Sequence, residues 1–265
     1  MIGVVDVDVA GLPGPQVEDL AVGQGNPQGL RGLVDDRLHR WNPLLSSWLL
    51  SRLSLLAVFS LAFSSQREYG LNLLVGLFLW DFFAEGTKVG LVSLHAKSYL
   101  ITRAAFPRWI VIAASSSNAL VPLAVFFGAV LAYLAAAGRA PEPWAVGLFG
   151  LYLLQLMLIV LGFSLATSVL FLRFRDLNQV WEVVSQAGFF VAPIIYPLEI
   201  LPERAHFWLY LWPPTPIIQF SRWVLLDGIV PSARGHLYLA LLTGVILAAG
   251  VVIYRLVGPR AVEEL

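Results

Sequence analysis

The chain has 265 residues, 58% of them apolar and 13% charged, where an ordinary soluble domain carries about 25% charge. Its mean hydropathy of +0.76 is spread over most of the length, which excludes a soluble domain with a single signal peptide or anchor. Seventeen basic residues balance seventeen acidic ones and there is no cysteine, which removes bulk attraction to nucleic acid, disulfides, thiol nucleophiles and cysteine metal sites.

A spanning helix takes about 20 apolar residues, so a chain of this length holds six spans and their connections, and an all-α polytopic membrane protein is expected. Residues 1–40 mix Gly, Pro, Asp and Gln without a sustained period, predicting a poorly structured cytoplasmic segment ahead of a transmembrane domain over 41–265. They also lack the positive start, apolar core and small-residue cleavage site of a secretory signal. Apolar runs follow at 48–63, 71–92, 109–137, 144–172, 179–195 and 237–257. Arg52 interrupts the first, the fifth is short, and the third and fourth exceed a bilayer core and must tilt, bend or emerge from it. Pro122 marks the expected bend in the third.

Counting Lys and Arg on alternate sides gives ten with the amino terminus (Arg31, Arg37, Arg40, Lys97, Arg103, Arg108, Arg173, Arg175, Arg255, Arg260) and five opposite (Arg67, Arg139, Arg204, Arg222, Arg234), with Arg52 and Lys88 inside spans. The excess predicts both termini in the cytoplasm. Trp48, Trp109, Trp144 and Trp181 stand at or near run ends, where an amphipathic ring prefers the headgroup region.

In the second run, Asp81, Glu85 and Lys88 fall at i, i+4 and i+7 on one helical face. Charges at membrane depth are costly and face a bundle interior or a water-filled path, so this face is a candidate pathway lining; the alternative is an internal Glu85–Lys88 pair. The stretch 93–108 is basic, partly amphipathic and ends at Pro107-Arg108, which suits either a protein partner or lipid headgroups. Arg173-Phe-Arg-Asp176 reads the same way. Residues 196–236 are too apolar for a solvated loop and too proline-rich to span, predicting two short helices that dip in from outside, or else a helix pair lying on the outer interface.

The four histidines do not fall at metal-ligand spacing and no Gly-x-x-x-x-Gly-Lys-[Ser/Thr] run occurs, so ATP energy has to come from a partner. The order Leu79-Trp-Asp-Phe-Phe83, Leu100-Ile-Thr-Arg-Ala-Ala-Phe-Pro-Arg108, Phe174-Arg-Asp-Leu177, Ala192-Pro-Ile-Ile-Tyr-Pro197, Leu201-Pro202 and Pro214 to Arg222 resembles the permease subunit of type-2 ABC exporters over about residues 70–260. The branch it most resembles exports lipid-linked polysaccharides: O-antigen, capsule or teichoic acid.

The resemblance implies a six-span, non-enzymatic subunit of a bacterial inner or plasma membrane, homodimeric and seated on two separate ATP-binding chains. ATP and Mg would be held by those partners, with no cofactor on this chain. It implies a coupling helix near 94–106, with His95, Lys97, Tyr99, Arg103, Phe106, Pro107 and Arg108 at the ATPase contact. It also implies a channel lined by aromatics that suit sugar faces, with Trp80, Asp81, Phe82, Phe83 and Glu85 as candidates. Re-entrant helices between the fifth and sixth spans would form an outer gate, with Tyr196, Pro197, Trp208, Trp212 and Arg222. The chain departs from the pattern in two places: residues 1–40 do not supply the usual basic amphipathic helix, and Pro213 stands where Asn is common.

Other readings differ in class. A drug or small-lipid exporter keeps the fold and changes the cargo. A membrane enzyme acting on a lipid through Asp81, Glu85 and His95 lacks a converging acid, base or metal set. A secondary transporter would show an internal repeat, and none is present.

Overall fold

The computed structural model describes residues 69–99, 107–136, 138, 141–196 and 198–261. All of them fall within one compact unit, Phe59–Leu265. The segment 1–40 and the first apolar run, 48–63, lie outside the described residues.

Among the described residues the structure is helical, without strands. The order is α1 (Tyr69–Ala96), α2 (Arg108–Ser116), a 3-10 turn (Ser117–Ala119), α3 (Leu120–Ala136), α4 (Pro143–Arg173), α5 (Leu177–Val191), a 3-10 turn (Leu198–Ile200), α6 (Glu203–Leu211), α7 (Pro214–Arg222), a π turn (Trp223–Asp227) and α8 (Ala233–Ala261). Among the described residues, three helical stretches are both long and apolar enough to cross a bilayer: Arg108–Ala136, Pro143–Arg173 and Ala233–Gly258. They coincide with the third, fourth and sixth apolar runs.

The second run lies within α1, which has ample length at 28 residues but carries Asp81, Glu85 and Lys88. The fifth run departs from expectation. Its helix, α5, has only 15 residues and stops at Val191, about 22 Å of rise against a hydrocarbon core of about 30 Å. Pro193 is the reason: it cannot donate to a preceding turn, and the residue before it is pushed into extended backbone. Ala192 has φ −68° and ψ 135°.

Pro122 acts one turn upstream of itself. Lacking an N–H, it leaves the carbonyl of residue 118 without its usual donor, and the 3-10 turn Ser117–Ala119 falls there, joining α2 to α3. Pro143 opens α4 at a first-turn position, where the missing N–H costs nothing.

Helix α4 is the central staff, packed along α8 on one side and α1 on another. Both seams depend on the absence of side chains. A Cβ on Gly250 would lie 2.6 Å from the carbonyl carbon of Gly162, and one on Gly162 would lie 2.7 Å from Leu247 Cα, so α4 and α8 cross backbone to backbone. On the other seam, a Cβ on Gly86 would lie 2.9 Å from Val160, and one on Gly90 would lie 2.5 Å from Ser116 Oγ, with Ser164 also in the way. Lipid gives helices no hydrophobic drive toward one another, so close backbone approach and the dispersion contacts it permits hold such seams. Ser116 at the end of α2 and Ser164 on α4 add a hydrogen bond of 3.2 Å beside the second seam, tying α2 to α4 where both approach Gly90 of α1.

Candidate functional site

The acidic and basic face of α1 is where the chain departs from an inert span. Asp81 is half-buried, whereas Glu85 and Lys88 are exposed. Lys88 does not pair with Glu85: its Nζ lies 3.1 Å from Glu182 Oε1 on α5. One residue earlier on each helix, the indole N–H of Trp181 donates to Thr87 Oγ1 at 3.1 Å. Trp181 is half-buried near the start of α5 and turned toward α1 and α4, its ring 4.1 Å from that of Phe163. Trp109 and Trp144 do keep exposed positions at the starts of α2 and α4, while Trp48 lies outside the described residues.

Above this pair stands an aromatic cluster. Trp80, Phe82 and Phe83 are all buried within the chain. The Trp80 ring is 5.6 Å from Phe83, 6.0 Å from Phe189 and 6.4 Å from Trp212, and Phe83 also meets Trp181 and Trp212. Trp212 reaches the cluster from the corner between α6 and α7, over Gly188, where a Cβ would lie 2.5 Å from its ring. Trp208 behaves differently: it and Phe207 are each 69% exposed on α6. The proline-broken segment thus sends one tryptophan inward and leaves the other outside.

The turn after α5 is closed by side chains. The Tyr196 hydroxyl donates to the carbonyls of Phe190 and Val191 at 3.1 and 3.0 Å. Arg222, at 6% exposure, donates to the carbonyls of Asn72, Pro193 and Ile194 at 2.8, 2.6 and 3.0 Å. Tyr69 donates to the carbonyl of Ile195. Pro197 lies outside the described residues.

The opposite end of the molecule is basic. The last turn of α1, the first of α2 and the last of α4 bring His95, Arg108 and Arg173 there, with Lys97, Arg175 and Arg255 beside them. Lys97 Nζ donates to Ser115 Oγ at 2.8 Å, and His95 meets Phe171 edge-on at 5.9 Å. Tyr99, Trp109 and Phe174 are largely exposed among these charges. Pro107 sits at the N-cap of α2, and Arg103 and Phe106 lie outside the described residues.

Five residues that sequence reasoning passed over have structural roles: Tyr69, Gly76, Glu182, Phe163 and Phe189. A carboxylate inside the fifth apolar run was the available signal for Glu182; the others carry none. Tyr152 and His236 also meet, at 2.9 Å between hydroxyl and Nε2. Because Nδ1 lies 3.1 Å from the Ser232 carbonyl and donates to it, Nε2 accepts the Tyr152 proton. Among the described residues no group of His, Asp or Glu is placed to hold a metal.

No protein-family profile matches the chain. It is similar to the O-antigen export system permease protein RfbA of Klebsiella pneumoniae, with 26% identity over 202 residues, 75% of this chain and 76% of that protein. The protein of the same name from Myxococcus xanthus is 24% identical over 68% of this chain and 70% of its own length. The polysialic acid transport protein KpsM of Escherichia coli is 28% identical over 102 residues, 38% of this chain and 39% of its own. The long apolar helices and these relatives together make the chain a homologue of type-2 ABC exporter permeases, which are membrane transport subunits rather than enzymes.

Proposed function

We propose that the chain is the permease subunit of an ABC exporter that moves a lipid-linked polysaccharide outward across a bacterial inner or plasma membrane. The observation that carries this reading is the polarity of the helical bundle combined with its relatives. One end gathers Lys97, Arg108, Arg173, Arg175 and Arg255 beside exposed aromatics. The other is covered by the proline-broken helices α6 and α7. An excess of basic residues favours the cytoplasmic side, which supports a reading with the α1–α2 connection against a separate ATPase and the α6–α7 pair at the exit.

On this reading the chain has six spans, with 48–63 as the first and α5 as a short fifth, and α6 and α7 are re-entrant. Residues 1–40 precede the transmembrane domain as a cytoplasmic segment. Support for a re-entrant segment comes from the carbonyls of the turn after α5, which have donors supplied by the protein itself, as backbone at membrane depth requires. The chain works as a homodimer on two ATPase subunits that hold ATP and Mg. The exposed stripe Val180, Val183, Val184, Phe190 and Val191 on α5 offers an apolar face for a second copy. The segment 93–108 couples ATPase closure to the spans through His95, Lys97, Tyr99, Arg103, Phe106, Pro107 and Arg108. The α1 segment with Trp80, Asp81, Phe82, Phe83 and Glu85 contributes to the conduit wall, its buried rings backing the half-buried Asp81 and exposed Glu85, and Tyr196, Pro197, Trp208, Trp212 and Arg222 belong to its outer closure.

The test is affinity purification of the tagged chain from native membranes. The expected result is an ABC ATPase and a glycolipid recovered with it, and ATP hydrolysis only in fractions containing the ATPase. Nucleotide turnover by the homogeneous chain would exclude the subunit reading and favour an enzyme.

A further inference from the structure

The two short helices of the outer segment are held in very different ways. Every residue of α7, Pro214–Arg222, is buried, whereas Phe207, Trp208 and Leu211 of α6 are exposed. A helix ending at Val191 leaves its last carbonyls without intrahelical donors, and each carbonyl from Phe190 to Ile195 finds a donor elsewhere in the chain, the first two sharing the one hydroxyl proton of Tyr196. Tyr196 serves Phe190 and Val191, the Ile194 N–H serves Ala192 at 2.7 Å, Arg222 serves Pro193 and Ile194, and Tyr69 serves Ile195.

Arg222 is the member that ties three elements together. It is the last residue of α7, it reaches the Asn72 carbonyl on α1, and it grips the turn beyond α5. Its positive charge also lies at the carbonyl end of α5, the negative pole of that helix. The seat is shaped for it: a Cβ on Gly76 would come within 3.3 Å of Arg222 Cζ and closer still to Nη2, so a side chain there would lift the guanidinium from its carbonyls.

We propose that Arg222 is a positioning residue that pins α7 onto α1 and the post-α5 turn, making α7 a stationary part of the outer closure, so that any opening movement belongs to the exposed α6. The word closure rests on the exporter reading given above; the pin does not. Hydrogen bonds to a charged group are the stronger kind, and losing one partner leaves buried acceptors bare. A lysine, with one ammonium in place of a planar fork, cannot reach three carbonyls in the same geometry.

The absence of native cysteine makes the test clean. Thr215, fully buried on α7, is replaced by Cys as the reporter, and Ile112, fully buried on α2, by Cys in a separate chain as the control. The full chain is placed in lipid nanodiscs, where both faces are open to a membrane-impermeant maleimide. With Arg222 and Gly76 intact, neither cysteine reacts. In Arg222→Ala and in Gly76→Val, Thr215→Cys reacts at least about tenfold faster while Ile112→Cys stays protected, and Arg222→Lys falls between. Equal protection of Thr215→Cys with and without Arg222 would overturn the pin. So would exposure of both cysteines together, which marks general loss of the fold. In cells exporting glycan, Thr215→Cys with Arg222 intact stays protected throughout export, and labelling that rises with export would overturn the stationary role. Failure of the exporter reading shows separately, as a chain that recovers no ATPase, and leaves the nanodisc result standing by itself.

Discussion

Replacing Gly250 by alanine drives a methyl group into the backbone of α4. The new Cβ would lie 2.6 Å from the carbonyl carbon of Gly162 and 2.8 Å from its Cα, and a main chain inside a helix cannot swing aside as a long side chain can. Overpacking of this kind costs about 1–3 kcal/mol, and a backbone obstacle belongs at the upper end. Alanine regains about 1 kcal/mol over glycine in a helix interior. The net expectation is therefore a loss of about 2 kcal/mol. Gly244 on the same helix is the internal control, because a Cβ there meets nothing within 4 Å, and Gly244→Ala should gain up to about 1 kcal/mol. SDS-driven unfolding of the purified chain in mixed micelles measures both, as a shift in midpoint at unchanged slope. Equal midpoints for the two variants, or a more stable Gly250→Ala, would refute the claim that close backbone approach holds the α4–α8 seam.

The Lys88–Glu182 pair is half-exposed on both sides, at 48% and 47%, so a double-mutant cycle of Lys88→Met and Glu182→Gln in the same assay, which removes each charge without adding a repulsion, should give a coupling of about 1 kcal/mol or less. A coupling several times larger would mean that the pair sits in a drier setting than its exposure implies. For orientation, Ser98→Cys should resist an impermeant maleimide in intact cells and react after permeabilisation, while Glu142→Cys reacts in intact cells. The reverse pattern would invert the proposed topology. Arg103→Glu should lower the ATPase recovered per chain at unchanged membrane level, by a few kcal/mol of affinity if the contact is buried and less if it is at a rim; full recovery together with normal export would remove Arg103 from the coupling role.

Much of the helical framework was legible locally. The third, fourth and sixth apolar runs became spanning-length helices because twenty or more apolar residues in lipid have to satisfy their own backbone, and an α-helix does so without any distant partner. Pro122 was readable as a break for the same reason, whereas Pro143 and Pro193, which also act within a turn of themselves, were passed over, and the fifth run extends through Pro193 to residue 195. The site was legible only as a set of residue types. Spacing put Asp81, Glu85 and Lys88 on one helical face, but it left a pathway lining and a Glu85–Lys88 pair within α1 equally open.

The partner chosen by Lys88 is Glu182, 94 residues away, and the partners of Arg222 lie up to 150 residues away. Counting charges gave Arg222 a side of the membrane and the run ends gave Trp181 a depth, but neither said which neighbours the side chain meets, because composition records what a side chain is and not which way its helix is turned. Burial of a guanidinium is tolerated only where carbonyls converge on it, and that convergence exists once α1, the end of α5 and α7 have come together. The apolar runs and prolines of the sequence by itself determined an all-helical membrane framework and the positions of its breaks, since both depend on hydrogen bonds within a turn. Only the tertiary structure decided which charges pair, which aromatics turn inward and what closes the broken end of α5, since those contacts join residues that no local rule connects.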